Sequence, residues 1–373
     1  PILPQIGDDL GIADAALGTL VSAYSLMVGI FAILSGPVSD RFGRRRILLI
    51  GCGAMTVALM LHTLVSDYAS FLTVRMFAGM AGGILSGAAV SYIGDYFPYE
   101  RRGWATGWVM SGSAFGQIVG IPIGIVLAGQ WGFRAPFYIF AVTMAATILL
   151  LFFRVPQPPG KQSLEQLSVR KAAADYAAML RRPEVAWAAV AYFVMFLGVS
   201  IFTVYLPTWL ERDLNISGNE IALMFLVGGI ANVLTGPQAG KWSDRIGRKG
   251  IILLACIGLS SLMLLTVPLV TNVITACVFF FLIMMLVAMR TSPFSALLTA
   301  LVNDDRRGSL MSLAVALGQM GFALGGAIAG PLFAGMGYSS NTVLGAIFVL
   351  AMGLIVWFFI PEPRIRTTLA AAD

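Results

Sequence analysis

Gly36-Pro-Val-Ser-Asp40-Arg41-Phe-Gly43-Arg44-Arg45 and Gly240-Lys-Trp-Ser-Asp244-Arg245-Ile-Gly247-Arg248-Lys249 are two versions of one phrase, 204 residues apart. Further matches follow in the same order. Cys52 aligns with Cys256, and Glu100-Arg101-Arg102-Gly103 with Asp305-Arg306-Arg307-Gly308. Gly116-Gln-Ile-Val-Gly120 followed by Pro122 aligns with Gly326-Ala-Ile-Ala-Gly330-Pro331. An internal duplication of this length divides the chain into two parallel halves, residues 1–154 and 185–373, joined by 155–184.

What lies between the matched phrases is apolar. Of 373 residues, 58% are hydrophobic and 11% charged, and the mean hydropathy is +0.86. Soluble chains carry about 25% charged residues, so a soluble enzyme, a disordered chain and a disulfide scaffold are all excluded. A bilayer core of about 30 Å takes roughly 20 apolar helical residues to cross. Eleven segments qualify: 15–38, 46–66, 69–94, 103–129, 133–154, 185–210, 218–239, 250–270, 272–302, 308–334 and 338–360. The fold class is therefore an all-α polytopic membrane protein.

The net charge of +6 would suggest nucleic acid on a soluble domain, but the basic residues sit in short loops between spans. Twenty of the 24 Lys and Arg residues fall on one side of the alternating topology, in the loops of Arg41–Arg46, Arg101–Arg102, Arg154–Arg182, Lys241–Lys249, Arg306–Arg307 and Arg364–Arg366. The opposite side holds Arg134 and Arg212 among acids such as Asp8, Asp9, Asp14 and Glu211. The positive-inside rule makes the basic side, with the C-terminus, cytoplasmic, and a bacterial inner membrane is the expected location. Cys52, Cys256 and Cys277 all lie in apolar runs and read as core hydrophobes. No metal or other cofactor is expected, and no obligate protein partner.

The opening Leu3-Pro4, Asp9-Leu10 and Ile12 resemble Leu206-Pro207, Asp213-Leu214 and Ile216, which leave the span at 185–210. A further span ahead of residue 1 is therefore expected, making twelve, and the visible spans are numbered 2 to 12 on that basis. The acidic opening also gives no cleavable signal peptide.

The doubled Gly-x-x-x-Asp-Arg-x-Gly-Arg-Arg/Lys loop resembles the signature of the major facilitator superfamily over essentially the whole chain. That resemblance implies two pseudo-symmetric six-helix bundles, a central cavity lined by spans 1, 4, 7 and 10, and alternating access by rocking of the halves. Arg75 in Arg75-Met-Phe-Ala-Gly79 is similar to the span 4 arginine of the drug:proton antiporter branch. Gly112-x-x-x-Gly116-x-x-x-Gly120-Ile-Pro122-x-Gly124 resembles that branch's span 5 motif, with Ile121 as a departure before the proline.

Each motif has a physical reading. In the loop phrase, Gly36 and Gly43 permit turns, and Asp40 can accept from an arginine or a helix N-terminus of the other half. The expected gate set is Gly36, Asp40, Arg41, Gly43, Arg44, Asp95 and Arg101, with Gly240, Asp244, Arg245, Gly247 and Arg248 as its counterparts. Without a gate, these charges serve only as a topology anchor. The glycine stripe of span 5 favours close helix packing, and Gly116, Gly120 and Pro122 offer a bend. Gly321, Gly325, Gly326 and Gly330 make a similar surface in span 11. A charge at the membrane centre costs about 2.5–3.5 kcal/mol, so Arg75 and Arg290 are candidate contacts for a proton partner or an anionic group. The alternative for Arg290 is a structural bond near Pro293. Tyr192, Phe196 and Phe202 are a candidate aromatic wall, whereas Tyr205 and Trp209 suit an outer aromatic belt. Tyr24, Gln117, Asn232 and Gln319 are polar groups for the substrate pathway or for stapling helices. Residues 163–180 read as an amphipathic linker helix at the membrane surface.

No Asp or Glu lies deep in a visible span, which weighs against proton coupling unless the expected first span supplies one. His62 is a weaker proton candidate. The function that emerges is a secondary transporter of a small, amphipathic organic solute, most simply a proton-coupled exporter. An uptake symporter or facilitator for a small metabolite, neutral or anionic, is the alternative. A non-transporting scaffold would have no use for two gate loops, and the sequence holds no catalytic constellation.

Overall fold

The computed structural model describes residues 1–97, 101, 105, 108–109, 112, 115–157, 169–302 and 307–362. The first half contains α1 (Leu3–Leu10), α2 (Asp14–Phe42), α3 (Arg44–Leu61) and α4 (Tyr68–Tyr96). It continues through a π-helical turn, Gly116–Gly120, into α5 (Ile121–Trp131) and then α6 (Arg134–Arg154). The connector carries α7 (Val169–Leu180). The second half contains α8 (Pro183–Thr203), α9 (Leu206–Arg212), α10 (Gly218–Ile246), α11 (Arg248–Leu269), α12 (Val273–Ala300), α13 (Arg307–Met336) and α14 (Tyr338–Phe359).

The duplication read from the sequence is written into the backbone. Six described residues have φ in the left-handed range, and they form three pairs 204 or 205 residues apart: Gly11 with Asn215, Gly43 with Gly247, and Gly132 with Gly337. The short helices α1 and α9 both start with a proline in their first turn. Capping boxes at Asp67–Ser70 and Asn272–Thr275 open α4 and α12 alike. Packing repeats too. In the first half α4 lies against α2 and α3, and α3 against α6; in the second, α12 lies against α10 and α11, and α11 against α14. The halves meet along α2–α13 and along α10 with α5 and its π turn, two seams that the duplication relates.

Nine described helices are long and apolar enough to cross a membrane, against the eleven expected. Both shortfalls have a cause. The 18 residues of α3 include Arg44, Arg45 and Arg46, which places its first turn among charges. The segment 103–129 lies partly outside the described residues and leaves only the apolar helix Ile118–Trp131.

Glycine decides how closely the helices meet, as expected where lipid supplies no hydrophobic drive for association. A Cβ on Gly83 would fall 2.7 Å from the Val28 oxygen, and one on Gly325 2.7 Å from the Leu197 oxygen. Gly325→Val is accordingly expected to cost about 1–3 kcal/mol by overpacking. Gly250→Ala, where no atom lies within 4 Å, is expected to leave stability unchanged. Thermal unfolding in detergent measures both, and equal behaviour of the two would contradict this packing.

Gly112, Gly116 and Gly120 have no atom within 4 Å of a Cβ position, and Gly124 meets only the Phe140 ring, at 3.7 Å. Gly116, Gly120 and Gly124 line an apolar cavity of about 370 Å3 with Pro1, Ile2, Ile125, Phe137 and Phe140. In the second half the equivalent face of α13 is filled by α8, whose main chain crosses Gly321 and Gly325.

Candidate functional site

Two arginines sit where apolar helices give them little water. In α4, Arg75 is half-buried; its Nε donates to the Leu20 oxygen at 3.3 Å and its guanidinium lies 4.5 Å over the Tyr24 ring. The structure thus brings two sequence-predicted residues together, with α2 supplying both partners. Gly82 permits it, because a Cβ there would stand 3.0 Å from the Tyr24 hydroxyl.

Arg290 is more deeply placed, only 1% exposed within the second half. Its Nε and Nη1 have no hydrogen-bond partner, and no carboxylate pairs with it among the described residues. It lies against the Cys256 thiol of α11, which itself donates to the Met352 sulfur of α14 at 3.5 Å. α12 runs helical through Pro293, which has no N–H to give its own helix. Beside it, the rings of Tyr192 and Phe196 stand 5.2 Å apart and those of Tyr192 and Phe294 5.9 Å apart, pressed onto Gly318 of α13. Phe202 is not part of this wall; it packs on Tyr338.

Gln319 borders the α2–α13 seam beside Gly29, and Asn232 is half-buried on α10. The side chains of Gln117, Gly36 and Asp40 lie outside the described residues. Pro122 follows the π turn, in which the Ile121 amide reaches back to the Gly116 oxygen. Such a turn is where a helix bends.

At the basic end, the charged phrases organise their own half. Arg44 pairs with Asp95 at 2.6 Å, which places Asp95 in the gate loop's neighbourhood as expected. Arg248 bonds Asp244 at 3.3 Å and the Ala296 oxygen at 3.1 Å. Asp244 therefore has its recorded partner within its own loop, not across the halves as a latch would. Arg41, Arg101 and Arg245 are exposed, and Gly240 approaches Ser292 of the same half. The turn glycines Gly43 and Gly247 are each met by the residue between two prolines that follows the half's last helix. Glu362 accepts the backbone N–H groups of Arg248 and Lys249 at the start of α11. The Gln157 amide lies 3.0 Å from the Cβ position of Gly43. A carboxylate at a helix N-terminus is a favourable cap.

The ionic link between halves lies at the acidic end, and it was not among the expected gate residues. Arg212, ending α9, bonds Asp8 of α1 at 2.8 Å and Asp14 of α2 at 3.0 Å. The Tyr205 hydroxyl donates to the Asp14 oxygen at 2.5 Å and accepts the Gly18 amide at 2.9 Å. Tyr205 and Trp209 are accordingly buried, against the outer-belt reading; Trp209 stacks on Tyr338 at 4.9 Å. The break at Val204–Tyr205 is the cause, since it turns α9 inward over α1 and α2. The signal for this clamp was present in the sequence as one of two arginines on an otherwise acidic side. The connector helix α7 lies against α8, with Met179 buried in the second-half core.

Among the described residues no three His, Cys, Asp or Glu side chains cluster as metal ligands. Comparison with known proteins gives one consistent answer. The model of the Major Facilitator Superfamily matches residues 1–212 and again 188–373. The MFS-type transporter YceJ of Bacillus subtilis is 25% identical over 95% of this chain and 90% of its own length. Multidrug resistance protein MdtG of Klebsiella pneumoniae is 28% identical over 96% of this chain and 86% of its own. A D-xylose–proton symporter shares the fold, with a TM-score of 0.80 at 18% identity over 98% of this chain and 94% of its own. With both halves matched by the one family, the chain belongs to the Major Facilitator Superfamily: it is an integral membrane transporter, not an enzyme, that moves a small organic solute by alternating access.

Proposed function

We propose that this transporter is a proton-coupled exporter of small amphipathic organic solutes in a bacterial plasma membrane, with the basic end facing the cytoplasm. The likeness to MdtG, a multidrug resistance protein, over nearly the whole chain is the observation that carries export. The apolar wall of Tyr192, Phe196 and Phe294 supports an amphipathic substrate, because it offers ring faces and a single hydroxyl. Arg75 over Tyr24 and the bend before Pro122 are assigned to the pathway and to gate movement. In this reading the clamp at Arg212 holds the acidic end shut while the basic end admits substrate.

A second reading is an anion carrier, favoured by the unpaired guanidinium of Arg290 and by the absence of a mid-span Asp or Glu among the described residues. Proton release from purified full-length protein separates the two. Titration with a lipophilic cation such as tetraphenylphosphonium is expected to release protons between about pH 5 and 8, where a tuned carboxylate titrates. Binding of an aromatic carboxylate without any proton signal, lost in Arg290→Ala and kept in Arg290→Lys, would replace the exporter with the anion carrier.

A further inference from the structure

Consecutive cations at the start of α3 and of α11 have opposite fates. Arg44 and Arg248 turn inward, to Asp95 and to Asp244 with the Ala296 oxygen. Their neighbours Arg45 and Lys249 turn outward onto aromatic rings that end α6 and α14. The Arg45 guanidinium lies 5.4 Å from the Phe152 ring centre, and the Lys249 ammonium 5.7 Å from that of Trp357. The two pairs are one device repeated, for residues 45 and 249 are 204 apart and residues 152 and 357 are 205 apart.

These rings face away from the protein. Phe152 is 54% exposed and Trp357 44%, and both belong to the outer wall of membrane-spanning helices. Neither cation has an ion pair among the described residues, and Arg45 Nε is enclosed without a hydrogen-bond partner. A cation held on a ring face is attracted by the ring's quadrupole, which fixes it at the lipid-facing wall instead of releasing it to water. A group that meets it there must be anionic and must continue into hydrocarbon, against Phe153 and Phe358 at the same level.

We propose that the basic end carries two duplicated sites, Arg45 with Phe152 and Lys249 with Trp357, each binding the phosphate of an anionic phospholipid. The cation takes the phosphate, and the exposed rings take the glycerol and first methylenes. Anionic leaflets attract nearby Lys and Arg side chains, and the ring converts that diffuse attraction into a place. Arg45 is tied to the Phe152 oxygen as well, so Lys249 is the more dependent on lipid.

Native mass spectrometry of the full-length protein with phosphatidylglycerol or phosphatidylcholine tests this. Phosphatidylglycerol is expected to be retained as two tightly held copies, one in Lys249→Gln or Arg45→Gln and none in the double variant. Lys249→Arg, which keeps the charge, is expected to keep both and so separates lipid loss from misfolding. Equal retention of phosphatidylcholine, or unchanged retention in the double variant, would overturn the proposal. Displacement by soluble glycerol phosphate at the same concentration as the lipid would also overturn it, showing a phosphate site with no use for a membrane.

Discussion

Replacing Arg290 by methionine is expected to make the protein more resistant to heat while abolishing transport. Arg290 is 1% exposed, two of its guanidinium nitrogens have no partner, and the Cys256 thiol lies against it. Burying charge without an opposite charge costs several kcal/mol. Exchanging buried ionic groups for apolar side chains of similar volume is often neutral or stabilising, by about 1–4 kcal/mol. Methionine fills much of the same space and suits the sulfur-lined site beside Cys256 and Met352. Thermal unfolding in detergent and transport in proteoliposomes are the two measurements. A methionine variant that is less stable yet transports normally would make Arg290 a purely structural residue.

Arg212→Glu is expected to shift the conformational balance by roughly tenfold toward a state open at the acidic end. Each of its two ion pairs is partly exposed and contributes about 0.2–1 kcal/mol. Glutamate removes both and adds repulsion from Asp8 and Asp14. The Tyr205 hydroxyl bonds remain, so Tyr205→Phe combined with Arg212→Glu should go further. Spin labels at Leu64 and Ile274, both exposed near that end on opposite halves, would record a longer separation. Because the pairs are partly exposed, high salt should lengthen the wild-type separation in the same direction. An unchanged distance in the double variant would mean that the α2–α13 seam alone holds that end.

Much of this architecture is legible in the chain because a duplication repeats whatever backbone geometry demands. Gly43 and Gly247 are visible as paired turn residues before any coordinates, and so is the division at 155–184. What could not be read are the contacts between the halves. Arg212 and Asp8 stand at matching positions of the two halves, 204 residues apart, and a match in sequence does not say that the two side chains touch. Tyr205 and Trp209 failed for another reason. Aromatic residues near a span's end suit both a lipid belt and a buried corner, and only the break after Thr203 decides between them. Arg290 stands out in the sequence by its charge, but its depth inside one half depends on side-chain packing.

Glu362 sets the boundary for anyone altering the tail of this protein. The last spanning helix finishes at Phe359, so a cut or reporter fusion placed just after it would seem harmless. Such a cut removes the carboxylate that receives the Arg248 and Lys249 amides and leaves the reverse turn at Gly247 without its outside brace. The matching boundary in the middle of the chain falls after Gln157, where the connector departs. Loop insertions and circular permutants should therefore respect both Pro-Glx-Pro segments as parts of the halves they follow.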